Sequence, residues 1–140
     1  SIPTFFNKKI IMADGVLMAY QSLANNYNIS FKKMIDNRTN RTIFLKEAIE
    51  KKYISIDKSN EFKKNNIKLV NNSPNEILDL VKEAIDKNYR SKIKTKKILK
   101  IEKKLKKELS RYLKKNKKLR NPLFFSIPWK FGSNYLKKNY

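Results

Sequence analysis

One stretch near the middle of the chain, Ile67-Lys68-Leu69-Val70-Asn71-Asn72-Ser73-Pro74-Asn75-Glu76, constrains the fold more than any other. The apolar run Ile67 to Val70 reads as a strand, and the polar residues behind it end that strand. Ser73 then stands at a helix N-cap, Pro74 at the first helical position and Glu76 at the third, which is the spacing of a capping box. From there Ile77, Leu78, Leu80, Val81, Ala84 and Ile85 form a wide apolar stripe to about Asn88, with Asp79, Glu83 and Asp86 interleaved. A strand that hands over directly to an amphipathic helix is the repeating unit of an α/β domain.

Upstream, Lys8-Lys9-Ile10-Ile11-Met12-Ala13 is a short apolar run closed by Asp14-Gly15, as expected of a buried parallel strand ending in a loop. Residues 16–41 show no sustained period. Asn25-Asn26-Tyr27-Asn28 marks a loop, and Ile29-Ser30-Phe31 with Met34-Ile35 gives a brief extended or helical piece. Thr42 is placed to cap a helix from Ile43 to about Lys52, with Phe44, Leu45, Ala48 and Ile49 on one face. A strand, a crossover containing a helix and a second parallel strand predict a right-handed unit. Two strands alone are too few for stability, so their partners are expected N-terminal to Ser1, in a longer protein.

Residues 92–118 contain neither Gly nor Pro and predict one long helix, with Ile98, Ile101, Leu105, Leu109 and Tyr112 three or four apart. Its other faces are almost all Lys. A turn at Asn121-Pro122 leads through Phe124, Phe125 and Trp129 to Gly132, after which Ser133 is placed to cap a short helix, Asn134 to Asn139. The expected division is residues 1–90, an α/β part, and residues 91–140, a basic amphipathic helix and an aromatic segment packing back on it.

The chain has 140 residues, suited to one core, and 40% of them are hydrophobic, which favours a folded protein. It contains no Cys and no His, which excludes disulfides, thiolate or imidazole metal sites and catalytic pairs built on either residue. No metal site is expected. No apolar run approaches the roughly 20 residues that span a bilayer, so a cytoplasmic location is expected. The formal charge of +22 points first to nucleic acid, but 29 of the cations are Lys and five are Arg, the residue better suited to bidentate phosphate contacts. The charge is also uneven. Residues 1–90 hold 16 basic and 10 acidic side chains, and residues 91–140 hold 18 and two, so the net charge is +6 and then +16. That asymmetry makes the tail the part expected to face a polyanion or an anionic membrane.

The order of these features resembles one family, the putative glycosyltransferases of bacterial capsule and surface-polysaccharide clusters, whose C-terminal domain is GT-B-like and doubly wound. Ser1-Ile2-Pro3-Thr4-Phe5-Phe6-Asn7-Lys8-Lys9 is similar to the segment that follows a Ser-Gly loop there and precedes a strand ending in a polar residue, often Asn, here Asp14. Ile29-Ser30-Phe31-Lys32-Lys33 and Arg41-Thr42-Ile43-Phe44-Leu45-Lys46-Glu47-Ala48-Ile49 follow in the family's order. Ile67 to Ile77 resembles its most recognisable strand and helix, and Phe131 to Asn139 its final helix. The resemblance covers residues 1 to about 90 best. It implies an α/β fold: a partial Rossmann-like parallel sheet of the GT-B C-terminal type, covering helices and a long basic C-terminal helix. It further implies a fragment that binds a nucleotide-sugar donor as substrate, with no cofactor, and that serves transfer to a glycan or lipid-linked acceptor. Catalytic residues are not assigned.

In such domains ligands sit beyond the carboxyl ends of the strands, so the loops at Asp14-Gly15 and Asn71-Asn72-Ser73 are the places to look. Asp14 either accepts sugar or ribose hydroxyls or merely ends a strand with Gly15. Glu47 either holds a sugar hydroxyl or complements a helix dipole. Lys32 and Lys33 are candidates for the donor diphosphate, although paired lysines are frequent in so basic a chain. Ser73 and Glu76 are explained by capping. The basic helix has three readings: a core-packing helix with a solvated face, a helix lying at an anionic inner-membrane surface, or a nucleic-acid arm. The alternative to a glycosyltransferase is a small basic nucleic-acid-binding protein of ribosomal or architectural type.

Overall fold

The computed structural model describes residues 9–16, 27–115 and 130–140. The expected Asn121-Pro122 turn, the Phe124, Phe125 and Trp129 cluster and the segment before Lys9 lie outside them. Among the described residues six strands form two three-stranded sheets: β1 (Ile10–Gly15), β2 (Tyr27–Phe31), β3 (Lys33–Asp36), β4 (Arg41–Ile43), β5 (Ile67–Val70) and β6 (Lys130–Phe131). The helices are α1 (Leu45–Glu50), α2 (Ser59–Lys64), α3 (Pro74–Ile85), α4 (Lys87–Ile93), α5 (Lys96–Lys115) and α6 (Ser133–Asn139). The protein is α/β, as expected.

The first sheet has the order β1-β2-β6 and is parallel throughout, with Ile10 opposite Tyr27 and Ile29 opposite Phe131. The second has the order β4-β3-β5 and is antiparallel throughout. This corrects the expected strand–crossover–strand unit. The parallel neighbour of β1 is β2, and Ile67–Val70 instead runs antiparallel to β3, with Ile67 opposite Asp36 and Val70 opposite Lys33.

The cause is a hairpin hidden among polar residues. Asn37 to Asn40 reverse the chain, Asp36 Oδ1 accepts from the Arg38 N–H at 2.9 Å, and Asn40 takes a left-handed φ of 53°. Thr42 is thereby placed in β4, opposite Ile35, and does not cap a helix. α1 starts two residues later than expected, behind Phe44, with no side-chain cap. The Asn-rich stretch read as a loop contributes Tyr27 and Asn28 to β2, where Tyr27, Ile29 and Phe31 enter the core.

The expected capping box is present: Glu76 N–H donates to Ser73 Oγ and Ser73 N–H donates to Glu76 Oε2. The expected single helix over 92–118 is broken at Lys94-Thr95. Asp86 Oδ1 caps α4 by accepting from the N–H groups of Asn88 and Tyr89, and the Thr95 hydroxyl accepts from the Ile98 N–H at the head of α5. Ile98, Leu105, Leu109 and Leu113 of α5 are buried, with Ile101 and Tyr112 packed beside them. The apolar stripe of the basic helix therefore lies in the domain's own core. No helix among the described residues is long and apolar enough to cross a membrane.

The core joins β2, β3, α1, α5 and the C-terminal segment through Phe31, Met34, Leu45, Leu105, Phe131 and Leu136. Phe31, Phe131 and Tyr135 form an aromatic triad with ring centroids 6.0–6.4 Å apart. Burial in it pushes the Tyr135 phenol up.

Candidate functional site

β1 does not stop before Asp14-Gly15; it runs through both, with a register shift between Met12 and Gly15. Asp14 sits in the bulge with a φ of 57°, a left-handed conformation that Asp tolerates better than most residues. Its Oδ1 accepts two hydrogen bonds of 2.7 Å, from the backbone N–H and from the side-chain amide of Asn72. The same amide lies 3.1 Å from the Phe31 carbonyl and 3.4 Å from Ser30 Oγ. An amide nitrogen has two hydrogens, so these three acceptors share them. Asn72 thus ties β1, β2 and the β5–α3 loop into one knot, and the two loops singled out in the sequence meet there.

Gly15 serves a steric need. Its φ is ordinary, but a Cβ would stand 3.0 Å from Cδ1 of the Phe31 ring. Beneath the knot, Ser30, Asn72, Glu76, Asp79 and Glu83 line a small cavity of about 10 Å3, on the order of one water molecule. A ligand therefore meets the knot from outside, where two groups are open to it. Asp14 is half-buried and uses only Oδ1, leaving Oδ2 without a protein donor among the described residues. The Lys32 ammonium spans to Asn71 Oδ1 at 2.8 Å in an exposed position, with donor capacity to spare.

Lys33 points to different work. Its Nζ pairs with Glu76 Oε2 at 3.0 Å, and Lys138 pairs with the other oxygen at 2.9 Å. Burial tends to raise the Glu76 carboxyl, but the Ser73 N–H and the two ammonium groups outweigh it and hold the carboxyl at about 2. Lys33 is thus ion-paired within the fold, which fits the structural reading of this candidate. Glu47 also lies apart from the knot. It belongs to α1, which follows β4, on the edge of β3 opposite β5. Arg41 holds it through a two-pronged contact of 2.8 and 3.0 Å, and Lys51 through one of 2.9 Å. Those hydrogen bonds, Arg41 first, lower its carboxyl to about 2.

Sequence reasoning missed the acidic face of α3. Glu83, 1% exposed, accepts from the Ser133 N–H and Oγ at 2.7 Å each. Asp79 accepts from Tyr89 Oη and Asn134 Nδ2, also at 2.7 Å. With Glu76 holding Lys138, three carboxylates on one side of the helix grip the segment Ser133 to Lys138. Ser133 is therefore bound by Glu83, and Gly132 takes the N-cap position of α6. The available signal was the spacing of Glu76, Asp79 and Glu83, three and then four residues apart. Comparison with family models, with curated proteins and with solved structures finds no match to this chain.

Proposed function

We propose that this chain is part of a glycosyltransferase, in which it binds a nucleotide-activated sugar for transfer to a growing surface glycan. The observation that carries the reading is the meeting of the β1 end and the β5–α3 loop at Asp14 and Asn72. Beyond that meeting point, Asp14 Oδ2 is placed to accept a ribose or sugar hydroxyl, and the Lys32 ammonium to meet a phosphate oxygen. The Rossmann-like, GT-B-type classification and the cytoplasmic location belong to the same proposal. So does attachment at the inner face of a membrane. Since the apolar stripe of α5 is buried, that attachment is electrostatic, through lysines each worth about 1 kcal/mol near an anionic surface.

Saturation-transfer NMR of the chain with uridine-, guanosine- and cytidine-diphosphate sugars tests the reading. The expected result is saturable binding of one class, weakened about tenfold by Lys32→Gln and by Asp14→Ala. Lys63→Gln with Lys64→Gln, on the exposed end of α2, should leave it unchanged. Failure of every nucleotide sugar to bind, or equal loss in the α2 variant, would refute it. Tight, steeply salt-dependent binding to duplex DNA or RNA instead would favour the nucleic-acid alternative.

A further inference from the structure

A second feature lies away from the Asp14–Asn72 knot, where α4, the first turns of α5 and β6 enclose an open groove of about 550 Å3. Five cations line it: Lys87, Arg90 and Lys94 from the α4 region, Lys106 from α5 and Lys130 from β6. Its one carboxylate is Glu102, 6% exposed and already engaged. Lys94 pairs with its Oε2 at 3.2 Å, Lys106 with its Oε1 at 3.4 Å, and the Phe131 N–H donates to Oε1 at 3.2 Å. Among the described residues no carboxylate pairs with Lys87, Arg90 or Lys130.

We propose that this groove is a binding site for a phosphate-bearing anion of at least two charges, such as a diphosphate, with Arg90 as its bidentate contact and Lys87 and Lys130 as flanking point charges.

Three physical arguments support it. The cations come from three separate segments that the tertiary fold brings together, so their meeting is more than a Lys-rich run along one helix. Among the described residues lining the groove the one acid, Glu102, is buried at the floor and holds Lys94 and Lys106, so the floor is fixed and the acid is not shared with the rim cations. Burial pushes the Lys106 amine down, Glu102 opposes this, and the nearby charges of Lys94 and Lys130 add to the push. A dianion at the rim relieves that crowding. Arg90 is one of only five arginines in the chain, and its planar fork matches phosphate oxygens as no lysine does.

The test is calorimetric titration of the full chain with inorganic pyrophosphate, with a nucleoside diphosphate, and with vesicles of phosphatidylcholine alone or carrying phosphatidic acid. Arg90→Gln with Lys87→Gln is the groove variant, and Lys63→Gln with Lys64→Gln is the control of equal charge. Saturable pyrophosphate binding that falls about tenfold or more in the groove variant and under about twofold in the control supports the site. A nucleoside diphosphate that binds as tightly makes the source a soluble diphosphate. Phosphatidic-acid vesicles that bind through the groove and are released by pyrophosphate make it a lipid headgroup. Equal losses in both variants, or no saturable binding in any arm, would overturn the proposal. The substituted residues lie outside the core, and an unchanged thermal transition checks that the variants are folded. The outcome is independent of the nucleotide-sugar reading, whose variants are at Asp14 and Lys32.

Discussion

α3 and α5 are both amphipathic and both pack against the C-terminal segment, yet they hold it by different chemistry. The 20-residue α5 buries Ile98, Leu105 and Leu109 in one cluster with Phe131, Tyr135 and Leu136 and adds a single buried acid, Glu102. The 12-residue α3 buries Leu80 and Ala84 and adds a row of three acids, Glu76, Asp79 and Glu83, each bonded to a residue between Ser133 and Lys138. The two systems meet around Gly132: the Phe131 N–H donates to Glu102 and the Ser133 N–H to Glu83. Apolar burial is non-directional and holds the mass of the fold together. Hydrogen bonds to a carboxylate are directional, and here they place a two-residue strand that has few ladder bonds of its own. α5 supplies stability, and α3 supplies position.

The largest expected effect falls on α5. Leu105 has no exposed surface, and Leu105→Ala should lower the unfolding free energy by about 2–5 kcal/mol in urea titration, through lost burial and the cavity left behind. Lys103→Gln with Lys107→Gln, on the exposed face of the same helix, should change it by under about 0.5 kcal/mol. If the lysine variant costs as much as the leucine one, the helix is not held by its stripe and the comparison fails.

On α3 the expected effect is smaller and more local. Glu83→Ala strands the Ser133 N–H and hydroxyl in a buried site, which should cost about 3 kcal/mol, whereas Ser133→Ala removes one bond and should cost about 1 kcal/mol. Hydrogen exchange separates position from stability. In Glu83→Ala the amides of Phe131 to Ser133 should exchange faster by more than the global loss accounts for, while Leu105→Ala should accelerate the protected amides together. Uniform acceleration in both variants would reduce the acidic face to ordinary packing.

What the sequence made legible follows the same division. The stripe of α5 and the capping box of α3 obey local periodicity and local hydrogen bonding, so Ile98, Leu105, Leu109, Ser73 and Glu76 could be placed without a structure. Two features depended on distant partners and were not legible. The antiparallel pairing of β5 is set by the β3–β4 hairpin, whose Asp36-Asn37-Arg38-Thr39-Asn40 turn is masked by the surrounding excess of Asn. Glu83 looks like a solvated acid on a helix until Ser133, 50 residues away, is seen bonded to it. Of the candidate site residues, Asp14 and Gly15 reach the knot although β1 and β5 belong to different sheets, so the parallel unit expected from the sequence does not explain their meeting with Asn72. Lys33 was a candidate as one of a lysine pair and Glu47 by its place at a helix start, and neither position reveals the partner that each is paired with, Glu76 and Arg41.

Acid titration sharpens the comparison where the effect is smallest. Glu76 and Glu47 are both held at about 2, against 4.5 for the unperturbed carboxyl. A carboxyl lowered by folding adds stability above its unfolded value, and that stability is lost as pH falls from about 4.5 through about 2. Both therefore contribute to an acid limb in the same window, but their surroundings differ. Glu47 rests on Arg41 and Lys51, whose side chains are 49% and 53% exposed. Glu76 is 14% exposed and is tied to a backbone N–H and to the half-buried Lys33. Exposed pairs are screened by salt, and capped, partly buried ones much less. Raising salt from about 0.05 to about 0.5 M, where the Debye length falls below about 5 Å, should therefore erase the difference between the parent chain and Glu47→Gln across that window. The difference for Glu76→Ala, which removes the acceptor of the Ser73 N–H as well as the charge and should cost about 1 kcal/mol at neutral pH, should largely survive. If both vanish together, the α3 carboxylates act as surface charges and do not place the C-terminal segment; if both survive, the Arg41 contact is as much a part of the fold as the capping box.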